Sequence, residues 1–182
     1  MIYIIDKEKY FKNLNFFKKN IGFVYNLDDF DSLKNLVAGR YDLTQDNFET
    51  IKNKMYNSIF NEILDNFVEL GDKYFISIAA DDKKIYSIAC FMQKDDGHWF
   101  IDGVETYIGS RKKGFATDVL KKGLNTVSTL SCLRVDKNNK NAINLYKKLG
   151  FNDSSYEQQG LEDVTPNLKL MVKSPTAMPQ KQ

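Results

Sequence analysis

Apolar residues recur every three or four positions in several stretches of the chain, a spacing that predicts amphipathic helices. The longest such stripe predicts a helix that Thr44 or Asp46 would cap and that ends near Gly71. Its members are Phe48, Ile51, Met55, Ile59, Ile63 and Phe67. Because a stripe of this kind covers a core far more often than it binds a ligand, we assign these side chains to the hydrophobic core.

The first twenty residues carry a separate pattern. A short strand is predicted at Ile2–Ile5, and a helix follows it. The apolar stripe of that helix comprises Tyr10, Leu14 and Phe17. We interpret residues 1–20 as an N-terminal strand–helix extension, which could cap the core or contact a second copy of the chain in a homodimer.

The main domain is predicted to span residues 21–173 and to begin with a strand at Ile21–Tyr25. A helix from Phe30 to about Ala38 comes next. Asp28 or Asp29 would cap that helix, since a carboxylate can accept hydrogen bonds from the free amides of its first turn.

Strand-like runs separated by short turns fill the middle of the chain. Tyr74–Ala80, Lys84–Gln93 and His98–Tyr107 are joined by turns so short that three sequential antiparallel strands are expected. Further strand candidates lie at Leu130–Asp136, Phe151–Tyr156 and Asn167–Lys173, with a polar loop at Glu157–Pro166 between the last two. Helical stretches alternate with these strands, so the pattern predicts an α/β (α+β) domain with a mixed sheet and helices on both faces.

Composition narrows the possible partners. The chain has 182 residues and a formal net charge of +2, too balanced to indicate nucleic acid or an anionic membrane as a partner. Its longest apolar runs, such as Phe75–Ala80, are too short to span a bilayer, and the amino terminus lacks the pattern of a leader, so we expect a cytoplasmic protein. Ser174–Gln182 has two prolines and no apolar pattern and is predicted to be a disordered tail.

The candidates for redox or metal chemistry are few. Cys90 and Cys132 each lie in an apolar strand candidate, which indicates reduced core thiols rather than a disulfide framework. His98 is the one histidine, and we interpret it as a turn or surface residue. No constellation of metal ligands accompanies it, so no metal is expected.

A basic, glycine-containing loop stands between a predicted strand and a predicted helix. Its residues are Arg111, Lys112, Lys113, Gly114, Phe115, Ala116 and Thr117. The first amides of a helix have no partner within it, and the helix dipole adds positive charge, so such a loop can bind a phosphate group. Gly114 would let a ligand approach the backbone closely. The same loop, taken alone, is also compatible with a solvated basic surface, and it matches neither G-x-x-x-x-G-K-[ST] nor G-x-G-x-x-G.

A second motif follows the strand candidate at Leu130–Asp136. It runs from Asn139 to Phe151, and its apolar positions Ala142, Leu145 and Leu149 share one helical face. Gly150 stands where the helix would end in a left-handed cap.

Together the two stretches resemble the GNAT superfamily of acyl-CoA-dependent N-acetyltransferases. The first matches the pattern Arg/Gln-x-x-Gly-x-Gly/Ala at Arg111, Gly114 and Ala116. The second matches Asn-x-x-Ala-x-x-Leu-Tyr-x-x-x-Gly-Phe without a gap. Its matching residues are Asn139, Ala142, Leu145, Tyr146, Gly150 and Phe151. The resemblance implies the acyl-CoA N-acyltransferase fold, with a mostly antiparallel central sheet, and the transfer of an acetyl group from acetyl-CoA to an amine.

The resemblance also implies roles for individual residues. The loop Lys112–Thr117, with Arg111 before it, would hold the diphosphate of the donor. The strand end Val104–Thr106 would pair with the pantetheine arm, and Asn139 would anchor the arm or the strand end. Thr106 departs from the apolar residue common in the family. Tyr146 would protonate the departing thiolate as general acid; the alternatives are that it packs or only orients the sulfur.

The general base is less well defined by the resemblance. Some members of the family carry a Glu five residues before the motif Asn, and here that position is Arg134. Glu105 is the nearest alternative base, although a merely structural carboxylate is the competing interpretation. A non-catalytic acyl-CoA-binding or partner-binding module of the same fold remains an alternative function, as does transfer of a longer acyl group. No motif identifies the acceptor.

Overall fold

Seven strands form one sheet, in the order β1-β2-β3-β4-β5-β7-β6, in the computed structural model, which describes residues 1–154 and 167–175. All neighbouring strands pair antiparallel except β4 and β5, which pair parallel. The strands are β1 (Ile2–Ile5), β2 (Tyr74–Ala80), β3 (Ile85–Gln93), β4 (Trp99–Thr106), β5 (Ser131–Asp136), β6 (Asn152–Ser154) and β7 (Leu168–Lys173).

Helices cover both faces of this sheet, as the sequence pattern predicts. They are α1 (Lys7–Lys12), α2 (Leu14–Val24), α3 (Phe30–Leu36), α4 (Phe48–Leu70), α5 (Phe115–Leu124) and α6 (Lys140–Lys148). Short 3-10 turns lie at Gly71–Lys73 and Ile108–Ser110. The mixed, mostly antiparallel sheet between two helical layers confirms the predicted fold class.

Two apolar cores lie on opposite faces of the sheet. Alternate residues of β2 divide between them: Ile76 packs with α1–α4, whereas Phe75 packs with α5 and α6. Every residue of β2 is therefore buried, which explains its continuous apolar run. Helix α5 approaches the sheet so closely that a Cβ at Gly123 would lie 2.1 Å from the ring of Phe91.

The predicted strand at Ile21–Tyr25 is wrong, because these residues continue or follow helix α2. Phe17, Ile21 and Val24 recur at helical spacing and are all buried on one face of α2. A short apolar run fits a buried strand and a buried helix equally well, and here packing against β3 and the long helix α4 favours the helix.

Strand β1 is an edge strand of the same sheet, since Ile2–Ile5 pairs with Ile76–Ala79 of β2. The division of the chain at residue 20 stays a prediction. Ser155, Tyr156, the loop Glu157–Pro166 and residues 176–182 lie outside the described residues, so the predictions made for them do too. Both cysteines are free and buried, as expected. Within residues 1–154 and 167–175, no helix is long and apolar enough to cross a membrane.

The predicted helix ends are partly confirmed. The Asp29 carboxylate accepts a hydrogen bond from the Ser32 amide at 2.8 Å and so caps α3. Neither Thr44 nor Asp46 caps α4; Asn47 occupies that position and forms no side-chain bond to the helix amides. The Asn47 side chain instead bonds the loop before it, where it accepts from the Thr44 amide at 2.8 Å.

Candidate functional site

A β-bulge distorts β4 next to the middle of the sheet. Gly103 and Val104 face a single residue of β3, because the register shifts between Ile88 and Cys90. Gly103 has φ 57°, and a Cβ there would lie 2.9 Å from the Tyr25 hydroxyl. Only glycine fits both the left-handed conformation and the close approach, so this residue fixes the shape of the bulge.

The two parallel strands separate beyond the bulge. Pairing of β4 with β5 covers only Trp99–Ile101 and Ser131–Leu133. After Ile101 the edge of β4 at Val104–Thr106 no longer has β5 as its hydrogen-bonding neighbour. A cleft therefore opens between the ends of these strands.

The loop before α5 offers a row of free amides to this cleft. Within the described part of the chain, none of the six amides of Lys112–Thr117 donates a hydrogen bond. Gly114 immediately precedes α5 and has φ 88°, and nothing lies within 4 Å of the position a Cβ would take. Of these six residues, all but Lys113 line a cavity of about 830 Å³, which we call the loop cavity. Such an array can accommodate a phosphate group.

Basic side chains flank the same loop. Arg111 Nε donates to the Thr106 carbonyl at 3.4 Å, and Lys113 Nζ donates to the Gly109 carbonyl at 2.9 Å. Lys112 takes a left-handed conformation, with φ 61°. The Phe115 ring stacks on Tyr86 at 5.2 Å between ring centroids. The loop thus combines free backbone donors with positively charged side chains.

A second cavity, of about 460 Å³, lies on the other side of the β4 edge, between the sheet and α4. We call it the α4 cavity. The two cavities share five lining residues, which therefore mark the place where they meet. These residues are Val104, Glu105, Asn139, Ala142 and Tyr146.

Tyr146 and Glu105 have strongly perturbed proton affinities at this junction. Tyr146 is 7% exposed, and burial raises its pKa to about 12, with a further contribution from the charges of Glu105 and Asp102. Burial raises the pKa of Glu105 to about 7, while the Arg111 guanidinium lowers it. Near neutral pH the phenol is therefore protonated, and the carboxyl group is close to half ionised.

Asn139 is a helix cap, as the simpler of the two interpretations predicts. Its Oδ1 accepts from the Ala142 amide at 3.1 Å at the start of α6. The helix ends at Gly150, which has φ 89°, and the Phe151 amide donates to the Tyr146 carbonyl at 3.0 Å. These two ends fix α6, and with it Tyr146, over the cleft.

One positioning residue, Asn26, was missed from the sequence. It is buried, follows α2 and has φ 57°. Its Nδ2 donates to the Thr106 carbonyl at 3.3 Å, and its Oδ1 accepts from the Ile108 amide. Asn26 therefore anchors the end of β4 and the turn that leads into the loop.

The α4 cavity also contains residues that the sequence did not mark. Glu62 lies on the polar face of α4, where nothing distinguishes it from other charged residues. Asp102 and Gly103 sit in a strand, and a glycine inside a strand pattern is a signal of a bulge that could have located them. Arg134 of β5 lines this cavity as well, and its guanidinium lies 5.4 Å from the centroid of the Phe100 ring.

His98 lies in the segment between β3 and β4. It follows the turn before β4, and its Nδ1 contacts the Asp96 carboxylate. Among the residues that the structure describes, no group of three or more His, Cys, Asp or Glu side chains is placed to hold a metal ion.

The sequence matches the model of the acetyltransferase (GNAT) family over residues 38–151. The matched region includes the bulge, the loop before α5 and the whole of α6. None of the curated proteins matches the chain.

Solved structures with the same fold are distant in sequence. A GNAT-family acetyltransferase of Staphylococcus aureus has a TM-score of 0.62 at 14% identity, with 96% of this chain and 99% of that chain covered. The paiA N-acetyltransferase of Thermoplasma acidophilum, solved in complex with coenzyme A, has a TM-score of 0.59 at 16% identity, with 96% and 99% covered. An acetyltransferase of Streptococcus agalactiae has a TM-score of 0.60 at 13% identity, with 95% and 98% covered.

Proposed function

Because the chain belongs to the acetyltransferase (GNAT) family, we propose that it transfers the acetyl group of acetyl-CoA to a primary amine. The observation that carries this proposal is the meeting of two cavities at Tyr146 and Glu105. One cavity offers free backbone amides suited to a diphosphate, and the other is open to an acceptor. Coenzyme A in the Thermoplasma structure supports the choice of donor.

The donor would lie in the loop cavity. The amides of Lys112–Thr117 would bind its diphosphate, with Arg111, Lys112 and Lys113 around it. The open edge of Val104–Thr106 would pair with the pantetheine arm, as an added strand pairs with a sheet edge. The Thr106 carbonyl already accepts from Asn26 and Arg111, and the Glu105 carbonyl accepts from the Ser87 hydroxyl at 2.8 Å. Val104 is therefore the residue of this strand end that is left to make the pairing. Asn139 would contact the same arm while it caps α6.

Glu105 and Tyr146 would divide the proton transfers between them. Glu105 accepts a proton from the arriving ammonium group and leaves a neutral amine, for which a pKa of about 7 suits a base at neutral pH. The nitrogen then forms a bond to the carbonyl carbon while the carbon–sulfur bond breaks. Tyr146 gives a proton to the departing thiolate, and the nitrogen loses one proton, which restores the phenol. The products are the amide, free coenzyme A and one proton released to water from Glu105.

Release of free thiol from acetyl-CoA in the presence of a panel of amines tests this function. We expect thiol release that depends on the amine and gives an acetylated product by mass spectrometry. Calorimetry of acetyl-CoA binding accompanies the assay. Tight binding without turnover on any amine would reject the enzyme in favour of the non-catalytic acyl-CoA-binding module. Competition between acetyl-CoA and longer acyl donors tests the choice of acyl group. Cytoplasmic location and a homodimer remain predictions.

A further inference from the structure

The outer edge of β1 ends the sheet on one side, since among the described strands β1 pairs only with β2. Met1 and Ala80 exchange two backbone hydrogen bonds: the Ala80 amide donates to the Met1 carbonyl at 3.0 Å, and the Met1 amino group donates to the Ala80 carbonyl at 3.1 Å. Bonded pairs alternate along an antiparallel ladder, so the odd-numbered residues of β1 bond to β2. Ile2 and Ile4 therefore direct their N–H and C=O groups away from the sheet.

Most of these outward groups have no partner. Within residues 1–154 and 167–175, the amides of Ile2 and Ile4 donate no hydrogen bond outside the sheet, and the Ile4 carbonyl accepts only from Lys9 Nζ, at 3.4 Å. Lys9 Nζ also donates to the Asp6 carboxylate at 2.8 Å, so it keeps a partner when another chain takes the carbonyl. The edge thus presents a row of backbone donors and acceptors with which another strand can pair.

The opposite edge of the sheet differs in chemistry. It is formed by β6, whose three residues are all polar. The Asp153 carboxylate of β6 lies 2.9 Å from Lys169 Nζ and 3.7 Å from Lys147 Nζ. Charged side chains on an edge strand hinder pairing with another chain, and β1, with the sequence Ile-Tyr-Ile-Ile, has neither a charge nor a proline. Of the two edges, that of β1 is therefore the one suited to association.

The backbone of β1 is complementary to a second copy of itself. When two copies of β1 run antiparallel about a two-fold axis at Tyr3, Ile2 of each copy lies opposite Ile4 of the other. Each such pair exchanges two N–H to C=O bonds, so this register satisfies the outward groups of both residues in both copies. A two-fold interface uses the same surface on both subunits and closes on itself.

The same register pairs apolar side chains. It places Met1 opposite Ile5 of the second copy, and Tyr3 opposite Tyr3 of that copy. These pairs lie between the bonded ones, where cross-strand side chains are closest together. Tyr3 and Ile5 belong to the core on the α1–α4 face of the sheet, whereas Met1 is 83% exposed in the single chain. Association would thus give an exposed methionine an apolar neighbour.

We propose that the protein forms a two-fold homodimer in which the two β1 strands pair antiparallel about Tyr3 and the two sheets become continuous. Within the described part of the protein, no residue of β1 lines the loop cavity or the α4 cavity. Each copy therefore keeps its own site, and the dimer does not depend on the proposed function.

Analytical ultracentrifugation of the full chain over a series of concentrations tests the dimer. We expect a species of twice the mass of one chain. Ile4→Pro removes an outward N–H and no bond to β2, since an edge strand tolerates proline where its N–H faces outward. The dimer loses two donors in this variant, and its Kd should rise by about tenfold to a hundredfold. Ile4→Val is the matched control, because it shortens the same side chain and keeps the N–H, and it should still form the dimer.

Hydrogen exchange measured by NMR on the unchanged protein tests the interface without any substitution. The Ile4 amide should exchange more slowly as the protein concentration rises, whereas the inward Tyr3 amide should be protected at every concentration. Ile2→Pro removes the second outward N–H and should weaken the dimer as Ile4→Pro does, with circular dichroism to verify that both variants fold. A monomer at every concentration overturns the proposal. A dimer whose Ile4 amide exchanges freely, or whose Kd neither proline changes, also overturns it, because its interface then lies elsewhere.

Discussion

Replacing Glu105 by Gln should stabilise the protein at high pH while it removes activity. Burial raises the pKa of Glu105 from its ordinary value of 4.5 to about 7, so the folded protein binds this proton more tightly than the unfolded chain. At about 1.4 kcal/mol for each tenfold change in proton affinity, the buried charge costs the folded state about 3 kcal/mol once it is ionised. This figure is a ceiling, because the carboxyl group partly contacts water in the cavities.

The direction of this pH effect depends on whether the folded or the unfolded state binds the proton of Glu105 more tightly. As pH rises from 4.5 to about 7, the unfolded chain releases the proton of Glu105 while the folded protein retains it. The contribution of Glu105 to the free energy of unfolding therefore falls across this window and is constant above it. Glu105→Gln keeps the shape of the protonated side chain without the titration. The free energy of unfolding of Glu105→Gln should exceed that of the unchanged protein by a difference that grows through this window and reaches at most about 3 kcal/mol above pH 7.

Urea denaturation of both proteins at several values between pH 4.5 and 8.5 measures this difference. Glu69→Gln, on the exposed face of α4, serves as the control and should show no comparable growth. In parallel, kcat/KM of the unchanged protein should rise through pH of about 7, and Glu105→Gln should lower it by about 10²–10⁴-fold. A stability difference that is the same at pH 5 and pH 8.5 would refute the buried-carboxylate reasoning. Full activity of the variant would refute its role as base.

Three further substitutions test the proposed site and the packing of α5 on the sheet. Tyr146→Phe should lower kcat by about 10²–10⁴-fold with little change in acetyl-CoA affinity by calorimetry, and unchanged turnover would reject the acid role. Gly114→Val should abolish calorimetric binding of acetyl-CoA, because a side chain would cover the free amides. The control is Gly97→Val, which should bind acetyl-CoA normally, since Gly97 has the same φ within 2° and equally open space around it. Gly123→Ala should lower the free energy of unfolding by about 1–3 kcal/mol in urea, since its Cβ would overlap the Phe91 ring, whereas stabilisation would contradict that close packing.

The predictable parts of the fold are those with a local physical cause. Gly150 adopts a left-handed conformation because the end of a helix favours one there, and Asn139 bonds a helix amide three residues ahead. Strands β2, β3 and β4 are joined by turns too short for anything but antiparallel pairing. Each of these features depends on residues close together in sequence, so the sequence pattern reveals it.

Features that depend on distant residues escaped prediction. The apolar run at Ile21–Tyr25 is compatible with a strand, and its packing against β3 and α4 favours the helix. Glu62 is one of several charged residues of α4, and it lines the same cavity as Asp102, which lies forty residues further along the chain. The surroundings of Glu105 and the lining of the α4 cavity depend on such distant residues, whereas the loop before α5 is recognisable from neighbouring residues.

The short pairing of β4 with β5 has a thermodynamic consequence. Three residue pairs join the first four strands of the sheet to the last three, and elsewhere the two parts are joined by the apolar core under α5 and α6. A coenzyme bound in the gap between these two parts of the sheet would contact both, at the place where β4 and β5 no longer pair. Binding of the proposed donor there would raise the free energy of unfolding, because the unfolded chain has no such site.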